Sequence, residues 1–409
     1  MTPAERYFLG TGRFECDGVT LGQVLAGHPP PLYLYSAGRI RDQYRKLTAA
    51  FPGFLVCYSF KANPNPAILG LLAGLGAGAE VSSAGELRAA LAAGFAARDT
   101  VLVGPAKTDE EIRLAIEHGI AAVVCDCPDD LERLEKLCRE AGREQDVLLR
   151  VNTREQPLAR EKMVGGPGKF GFDEEKLVTQ VRNVRLERAL IRGIQVYSGS
   201  QALDPGFLSG HFEYVIELAL RLRDELEFEL GLVDFGGGFG IPYAADEPEL
   251  DLAPVAEAAQ RARQELAREF GDCRLLLESG RFITAEAGVF ITRVQRVKRS
   301  RGRSIIITDS GMNGFSRPVF MQVQHPVRLL SKPDAPAVGR FDVCGPICTP
   351  LDCLARDVEL PEPEPGDPLG VFLAGAYGYT MSLLNFMSRR APAELLADRG
   401  SIAVIRPAS

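Results

Sequence analysis

The chain has 409 residues, 46% of them hydrophobic and 25% charged, with a formal net charge of −7. That composition suits a globular protein with a sizeable core and room for two or three domains. The acidic balance argues against a nucleic-acid-binding face or an anionic-membrane anchor, and no apolar run approaches the roughly 20 residues needed to cross a bilayer.

The opening Met1-Thr2-Pro3-Ala4-Glu5-Arg6 lacks the charged-then-apolar pattern of a secretory signal. From about residue 55 one unit repeats: a short apolar β-type run, a turn, then an amphipathic helical stretch. The strand candidates are Leu55–Ser59, Ala79–Ser82, Val101–Val103, Ala121–Cys125, Val147–Val151, Gly193–Tyr197, Leu232–Phe235 and Leu275–Glu278. Helical patterns between them include Ala84–Ala93, Asp109–His118, Pro128–Ala141, Gly210–Leu226 and Pro254–Phe270, the last with proline in its first turn, where a missing N–H is tolerated. Short strands alternating with helices imply parallel βαβ units, and eight in succession fit a closed (β/α)8 TIM barrel better than an open sheet. After about residue 283 the texture changes. Val289–Val297, Ser304–Thr308, Val319–Gln324, Arg340–Val343 and Gly370–Ala374 read as strands separated by turns. The expected organisation is α/β: residues 1–30 joining a β domain, a barrel over 31–283, and a C-terminal, mostly-β domain over 284–409. Tyr33-Leu34-Tyr35 would lead into the barrel.

The nine cysteines are odd in number and have no Cys-x-x-Cys spacing, which favours reduced thiols and a cytoplasmic setting. His28, His118, His211 and His325 are isolated, form no metal pattern, and read as structural or exposed. No metal is expected.

Catalytic groups of such barrels lie at the C-terminal ends of the strands. After the first strand comes Lys61, in Ser59-Phe60-Lys61-Ala62-Asn63-Pro64; desolvation there would favour a neutral amine able to form a Schiff base. After the seventh comes Asp234-Phe235-Gly236-Gly237-Gly238, where bare backbone N–H groups can approach an anion. After the eighth comes Glu278-Ser279-Gly280-Arg281, an acid and a cation on one rim. Taken singly, each also reads as a surface lysine, a tight turn or a rim salt bridge. Together they match the needs of pyridoxal 5′-phosphate, a phosphate cradle beside a carboxylate for the ring nitrogen.

The chain resembles the alanine-racemase-type barrel decarboxylases of the diaminopimelate, ornithine and arginine decarboxylase family. The resemblance runs over nearly the whole length. It is carried by Lys61-Ala62-Asn63-Pro64, Ser83-Ala84-Gly85-Glu86-Leu87, Lys169-Phe170-Gly171-Phe172, Gly199-Ser200-Gln201, Gly236-Gly237-Gly238, Glu278-Ser279-Gly280-Arg281, Met312-Asn313-Gly314-Phe315-Ser316-Arg317-Pro318, Gly345-Pro346-Ile347-Cys348 and Gly375-Ala376-Tyr377. It implies a pyridoxal 5′-phosphate enzyme in which Lys61 carries the cofactor as an imine and Glu278 pairs with the ring nitrogen. Ser200, Gly236, Gly237, Gly238, Gly280 and Arg281 would hold the phosphate, with Tyr377 closing over it and Glu80, Tyr197 and Ser279 also binding cofactor. Cys348 would enter the site from the partner subunit of a homodimer and supply a proton, and Arg317, Cys348, Thr349 and Tyr377 would meet the substrate.

Two positions depart from the family. Tyr197 stands where a stacking histidine is usual, and an aromatic ring can stack as well. Thr349 stands where ornithine and diaminopimelate decarboxylases have an acid for the far end of the substrate. A distal ammonium without that partner would cost several kcal/mol in a desolvated pocket. The chain is therefore similar to a specialised branch acting in natural-product pathways, which includes a decarboxylase of glutamate linked to an acyl-carrier protein. The expected substrate is an amino acid or a carrier-protein-bound aminoacyl group. Alternatives are decarboxylation of free diaminopimelate or ornithine, an amino-acid racemase, and a non-catalytic binding homologue.

Overall fold

The computed structural model describes residues 1–154, 161–162, 165–271 and 273–409, with backbone only at 161–162. The chain divides into two compact units. One comprises Tyr44–Ile241 and Glu249–Ser279; the other comprises Met1–Gln43, Pro242–Pro248 and Gly280–Ser409.

Strand β1 (Leu32–Ser36) belongs to the second unit. The first unit contains β2 (Phe54–Ser59), β3 (Gly78–Val81), β4 (Thr100–Leu102), β5 (Ala122–Cys125), β6 (Gln145–Asn152), β7 (Ala189–Gln195), β8 (Leu232–Asp234) and β9 (Arg274–Ser279). Each pairs in parallel with the next, and β9 pairs with β2, closing an eight-stranded ring. A helix follows each of the first seven ring strands, and sequence chemistry sets their ends. Thr108 and Glu111 form a reciprocal capping box at the start of Asp109–His118. Pro128–Ala141 starts with proline at its first turn, buries Leu131, Leu134, Leu137 and Cys138 at three- and four-residue spacing, and stops at left-handed Gly142.

Side chains alternate along a strand, so every second residue of the ring points inward. Leu55, Cys57, Val101, Val103, Ala122, Val124, Leu148, Leu232 and Leu276 form one apolar plug. Full burial of such a side chain stabilises by about 1.5–3 kcal/mol. Gly78 and Gly193 are the small inward members: a Cβ on Gly78 would lie 2.6 Å from the Cys57 sulfur, and one on Gly193 would lie 1.6 Å from the Leu232 carbonyl oxygen, with Leu148 at 3.2 Å. Two residues further along, the same face becomes polar: Ser59, Glu80, Asp126, Arg150, Gln195, Asp234 and Glu278, with Val103 completing the circuit. A buried polar layer thus caps the plug at the C-terminal ends of the strands.

The second unit holds β10 (Gly288–Ser300), β11 (Arg303–Thr308), β12 (Val327–Leu329), β13 (Gly339–Cys344), β14 (Cys353–Leu360), β15 (Pro368–Phe372), β16 (Ala393–Asp398) and β17 (Ser401–Arg406). They form a sheet in the order β14-β13-β11-β10-β1-β16-β17, with β15 pairing both β10 and β12. Strand β1, expected to lead into the barrel, pairs instead with β10 and β16. All five of its residues are buried, and Tyr33 donates a 2.6 Å hydrogen bond to the Gly314 carbonyl. A second expectation is also overturned. Arg317–Met321 is a short helix rather than the start of a strand over Val319–Gln324, because Pro318 at the first turn presets a helical φ and removes a ladder donor. Among the described residues no helix is long and apolar enough to cross a membrane.

Candidate active site

Lys61 lies in a single 3-10 turn directly after β2. Its Nζ lies 2.6 Å from Glu80 Oε1, with the glutamate side chain 1% exposed and the lysine side chain 42% exposed. The ammonium also lies 5.7 Å from the centre of the Tyr197 ring. The loop carrying Tyr197 is fixed from behind by buried His211. Its Nε2–H donates to the Phe235 carbonyl at 2.7 Å, and Nδ1 accepts the Ser198 hydroxyl at 2.9 Å. Burial holds this imidazole below its ordinary pKa, in the neutral form that such bonding requires.

The glycine loop follows β8. Asp234 Oδ1 accepts the Gly236 N–H at 2.8 Å, and Gly236 and Gly238 take φ values of +60° and +100°. A Cβ on Gly237 would lie 1.9 Å from the Glu278 carbonyl oxygen, and one on Gly238 would lie 2.2 Å from that of Gly199. Only glycine permits this approach. It brings Gly236–Gly238 against the Gly199–Ser200 segment and the end of β9. The Gly237 and Gly238 N–H groups donate to no acceptor among the described residues, as an anion cradle requires.

Glu278 and Ser279, the last residues of β9, are buried. Gln195 Nε2 donates to Glu278 Oε1 at 2.5 Å. Burial, then the neighbouring Asp234 and Glu80 charges, push the Glu278 carboxyl well above its ordinary range; burial likewise pushes Asp234 up. Lys61, Glu80, Tyr197, Ser200, Gly236, Gly237, Gly238, Glu278 and Ser279 all belong to the barrel unit, and Glu80 and Glu278 are members of its polar layer.

The remaining expected residues belong to the β-rich unit. Gly280 precedes the short helix Arg281–Thr284. Arg281 is buried and donates from Nη1 to the Tyr243 hydroxyl at 3.0 Å, with its guanidinium carbon 5.1 Å from the Tyr377 ring centre. The buried Arg317 guanidinium lies 5.3 Å from Tyr377 and 5.8 Å from Tyr243, so two tyrosines flank two arginines. His325 packs edge-on against Tyr243 and donates from Nδ1 to the Phe372 carbonyl at 2.9 Å. Burial and then the two arginines lower its pKa to about 3, so it stays neutral beside them. Cys348 is exposed, in a loop held by buried Asp352. The two Asp352 oxygens accept the Met312 and Ile347 N–H groups at 2.6 and 2.7 Å. Thr349, half-buried in that loop, accepts the Leu351 N–H on its hydroxyl at 3.3 Å.

Sequence reasoning missed three groups here, Arg150, Gln195 and Tyr243, and listed no role for Asp234, whereas its structural reading of His325 fits a buried ring bonded to backbone. Buried Arg150 lies 3.9 Å from Asp126 Oδ1 and stacks on Phe170 at 4.5 Å. Arg150 and Gln195 each follow an inward plug position by two residues, a signal available from the alternation alone. Tyr243 comes from the Pro242–Pro248 segment, and nothing in its sequence context marks it.

Comparison with known proteins agrees with this geometry. Residues 37–285 match the sequence family described as pyridoxal-dependent decarboxylase, pyridoxal binding domain. The chain is 33% identical over 390 residues to the L-glutamyl-[BtrI acyl-carrier protein] decarboxylase of Niallia circulans, covering 92% of this chain and 90% of that protein. It is also 33% identical to the diaminopimelate decarboxylase of Aquifex aeolicus over 399 residues, covering 97% and 93%. The crystal structure of the Helicobacter pylori diaminopimelate decarboxylase with L-lysine superposes with a TM-score of 0.86 at 30% identity, covering 95% of this chain and 96% of that one.

Proposed function

The chain belongs to the pyridoxal-dependent decarboxylases, and from that premise we propose that its substrate is an aminoacyl group whose far end is an uncharged acyl link to a carrier protein. Bound pyridoxal 5′-phosphate supplies the electron sink for the bond to the departing carboxylate. The residues present fit that group. The cradle at Gly237 and Gly238, which a Cβ would fill, leaves two N–H donors for its phosphate. The buried Glu278 carboxyl suits a ring nitrogen, the Tyr197 ring offers a stacking face, and Lys61 supplies the amine that holds the aldehyde. Ser200, Ser279, Gly280 and Arg281 would complete the phosphate contacts, and Arg317 would meet a substrate carboxylate or carbonyl. The ion pair with Glu80 keeps the Lys61 amine oriented while the plug excludes water from below.

One observation carries the substrate reading. Among residues 345–352, Asp352 is the sole acid, and both its oxygens are occupied by backbone N–H groups. The loop therefore offers no carboxylate to a distal ammonium, which suits a substrate lacking one. The Niallia circulans relative is named for a carrier-linked glutamyl substrate, which agrees with this reading; the diaminopimelate decarboxylases named above are the alternative. Cys348, exposed on the β-rich unit, would act in the site of a second copy of the chain, making the enzyme a homodimer, and its thiol would return a proton to the substrate carbon. The thiol inventory suits a reducing cytoplasm. The test is carbon dioxide release from cofactor-loaded enzyme given free diaminopimelate, ornithine and glutamate beside the same groups thioesterified to carrier proteins. Efficient turnover of the free diamino acids with no turnover of carrier-linked groups would overturn the proposal.

A further inference from the structure

Residues 345–352, the loop that carries Cys348 and Thr349, join β13 to β14, and a pair of thiols stands at its base. Cys344, the last residue of β13, is directly opposite Cys353, the first of β14, in the antiparallel ladder. On the loop side of that pair, the Gly345 N–H donates to the Asp352 carbonyl at 3.1 Å. A bond at that place makes Cys344 and Cys353 a non-hydrogen-bonded pair. Opposed Cα atoms then lie about 4.5 Å apart, with both side chains on one face of the sheet. Disulfides span Cα separations of roughly 4.4–6.8 Å, so the backbone already has the spacing of a bridge. No change of register is needed.

The two sulfurs are free thiols that differ in access. Cys344 is half-buried, whereas Cys353 is buried and donates its S–H to the Ala355 carbonyl at 3.2 Å. Little slack separates the pair from the loop. A Cβ on Gly345 would lie 2.3 Å from Gly311 Cα and 2.4 Å from Asp352 Oδ2, and Asp352 in turn holds the Met312 and Ile347 N–H groups. Opposed Cβ atoms in a ladder sit about 4.5–5.5 Å apart, and those of a disulfide about 3.8 Å. Bridging therefore draws the ends of the loop together by roughly 1 Å. The close packing at Gly345 and Asp352 passes that movement to Ile347, Cys348 and Thr349.

We propose that Cys344 and Cys353 are a redox modification site, closing as a reversible disulfide that displaces the Cys348 loop and slows decarboxylation. This rests on the reading that the loop serves the substrate. The oxidant is a low-molecular-weight disulfide of the glutathione class. The Cys344 thiolate attacks one sulfur of the oxidant, and the other sulfur leaves as a thiolate that takes up a proton. The Cys353 thiolate then attacks the Cys344 sulfur of the mixed disulfide and expels the second small thiol. Two protein thiols lose two electrons and two protons, and one oxidant molecule becomes two thiols. A reducing compartment keeps the pair open and the enzyme active. A bridge that must pull its strands together is also the kind most readily reduced again.

The holoenzyme is equilibrated in glutathione buffers of rising disulfide fraction, alkylated, digested without reduction and mapped by mass spectrometry. The expected product joins Cys344 to Cys353 and leaves Cys348 alkylated. Carbon dioxide release, from whichever substrate of the panel above is turned over, should fall at least about tenfold in step with that linkage and return with dithiothreitol. The visible absorption of bound cofactor should remain, because Lys61 and Gly236–Gly238 lie outside the β-rich unit. Cys344→Ser and Cys353→Ser should each keep the reduced enzyme's turnover and lose the response to oxidant. Absence of the linkage overturns the proposal, as does a linkage without loss of turnover. A response that survives in both serine variants overturns it too, by moving the effect to Cys348. Full activity of reduced Cys348→Ala, with the linkage still forming in the wild type, would instead overturn the loop's role toward substrate.

Discussion

Replacing Gly237 with alanine tests the phosphate cradle by steric force alone. The new Cβ would start 1.9 Å from the Glu278 carbonyl oxygen and 2.9 Å from its carbon, whereas real Cβ contacts essentially never fall below 3.0 Å. Loop and strand must therefore separate by at least about 1 Å. The Glu278 N–H is itself bonded to the Gly236 carbonyl at 2.7 Å, so the strain falls on backbone rather than on a yielding side chain. Overpacking of this kind costs about 1–3 kcal/mol. In a domain of this size that is a fall in Tm of roughly 2–4 °C per kcal/mol. Because the displaced residues would hold the phosphate and the ring nitrogen, cofactor affinity should fall much further, on the order of 100-fold for a 1 Å misplacement. Thermal melts of cofactor-free protein, with pyridoxal phosphate titrated by absorbance, separate the two effects. Gly210→Ala is the control: it lies in the helix Pro205–Leu226 with nothing within 4 Å of the new methyl. It should be neutral or stabilise by about 0.5–1 kcal/mol. Wild-type cofactor affinity in Gly237→Ala would refute the cradle.

Thr349→Glu restores an acid at the loop where this chain has none free; turnover of free ornithine or diaminopimelate should rise at least about tenfold relative to carrier-linked substrate. An unchanged ratio would remove residue 349 from substrate choice. Mixing Lys61→Ala with Cys348→Ala, each inactive alone, should recover roughly a quarter of wild-type carbon dioxide release, because half the random dimers then contain one intact site. No recovery after subunit exchange would mean that both residues serve the same copy's site.

The barrel was legible because its evidence is local and repeated: eight apolar runs separated by helical patterns, bounded by Pro128, Gly142 and the Thr108 cap. The glycine loop was legible because close backbone approach restricts residue type. Leu32–Ser36 was misread because the four-residue run Leu32 to Tyr35 suits a buried strand in either unit; its pairing with β10 and β16 is decided by distant chain segments. The strand expected over Val319–Gln324 failed for a local reason that the sequence did contain, Pro318. Arg150, Gln195 and Asp234 were passed over because each sits within or at the edge of an apolar β-type run and belongs to no motif of its own. The inward face of this barrel changes from apolar to polar within two residues, and the rule of alternation would have placed all three.

That polar layer is maintained against the stability of the fold, and the opposition has a measurable sign. Asp234 is raised from 3.8 to about 6 with burial as the largest cause, so the folded chain keeps this proton over a range in which the unfolded chain has released it. In that window the folded state binds more protons, so stability is whole below about pH 4, falls as pH rises to about 6, and stays low above. At 1.36 kcal/mol for each pKa unit, the loss is about 3 kcal/mol, with no discount for solvent because the group is fully buried. Glu135 runs the other way. Three backbone N–H groups and Arg139 hold its carboxyl at about 2 against the pull of burial, so its contribution is present above the unfolded value and is lost as pH falls. Urea titrations of cofactor-free wild type and Asp234→Asn at matched pH cancel Glu135 and isolate the buried pair. The variant should gain on the wild type by about 3 kcal/mol between pH 4 and pH 6. A difference that does not vary with pH would mean that the layer holds no proton on Asp234, and that its carboxylates are tolerated at no cost to folding.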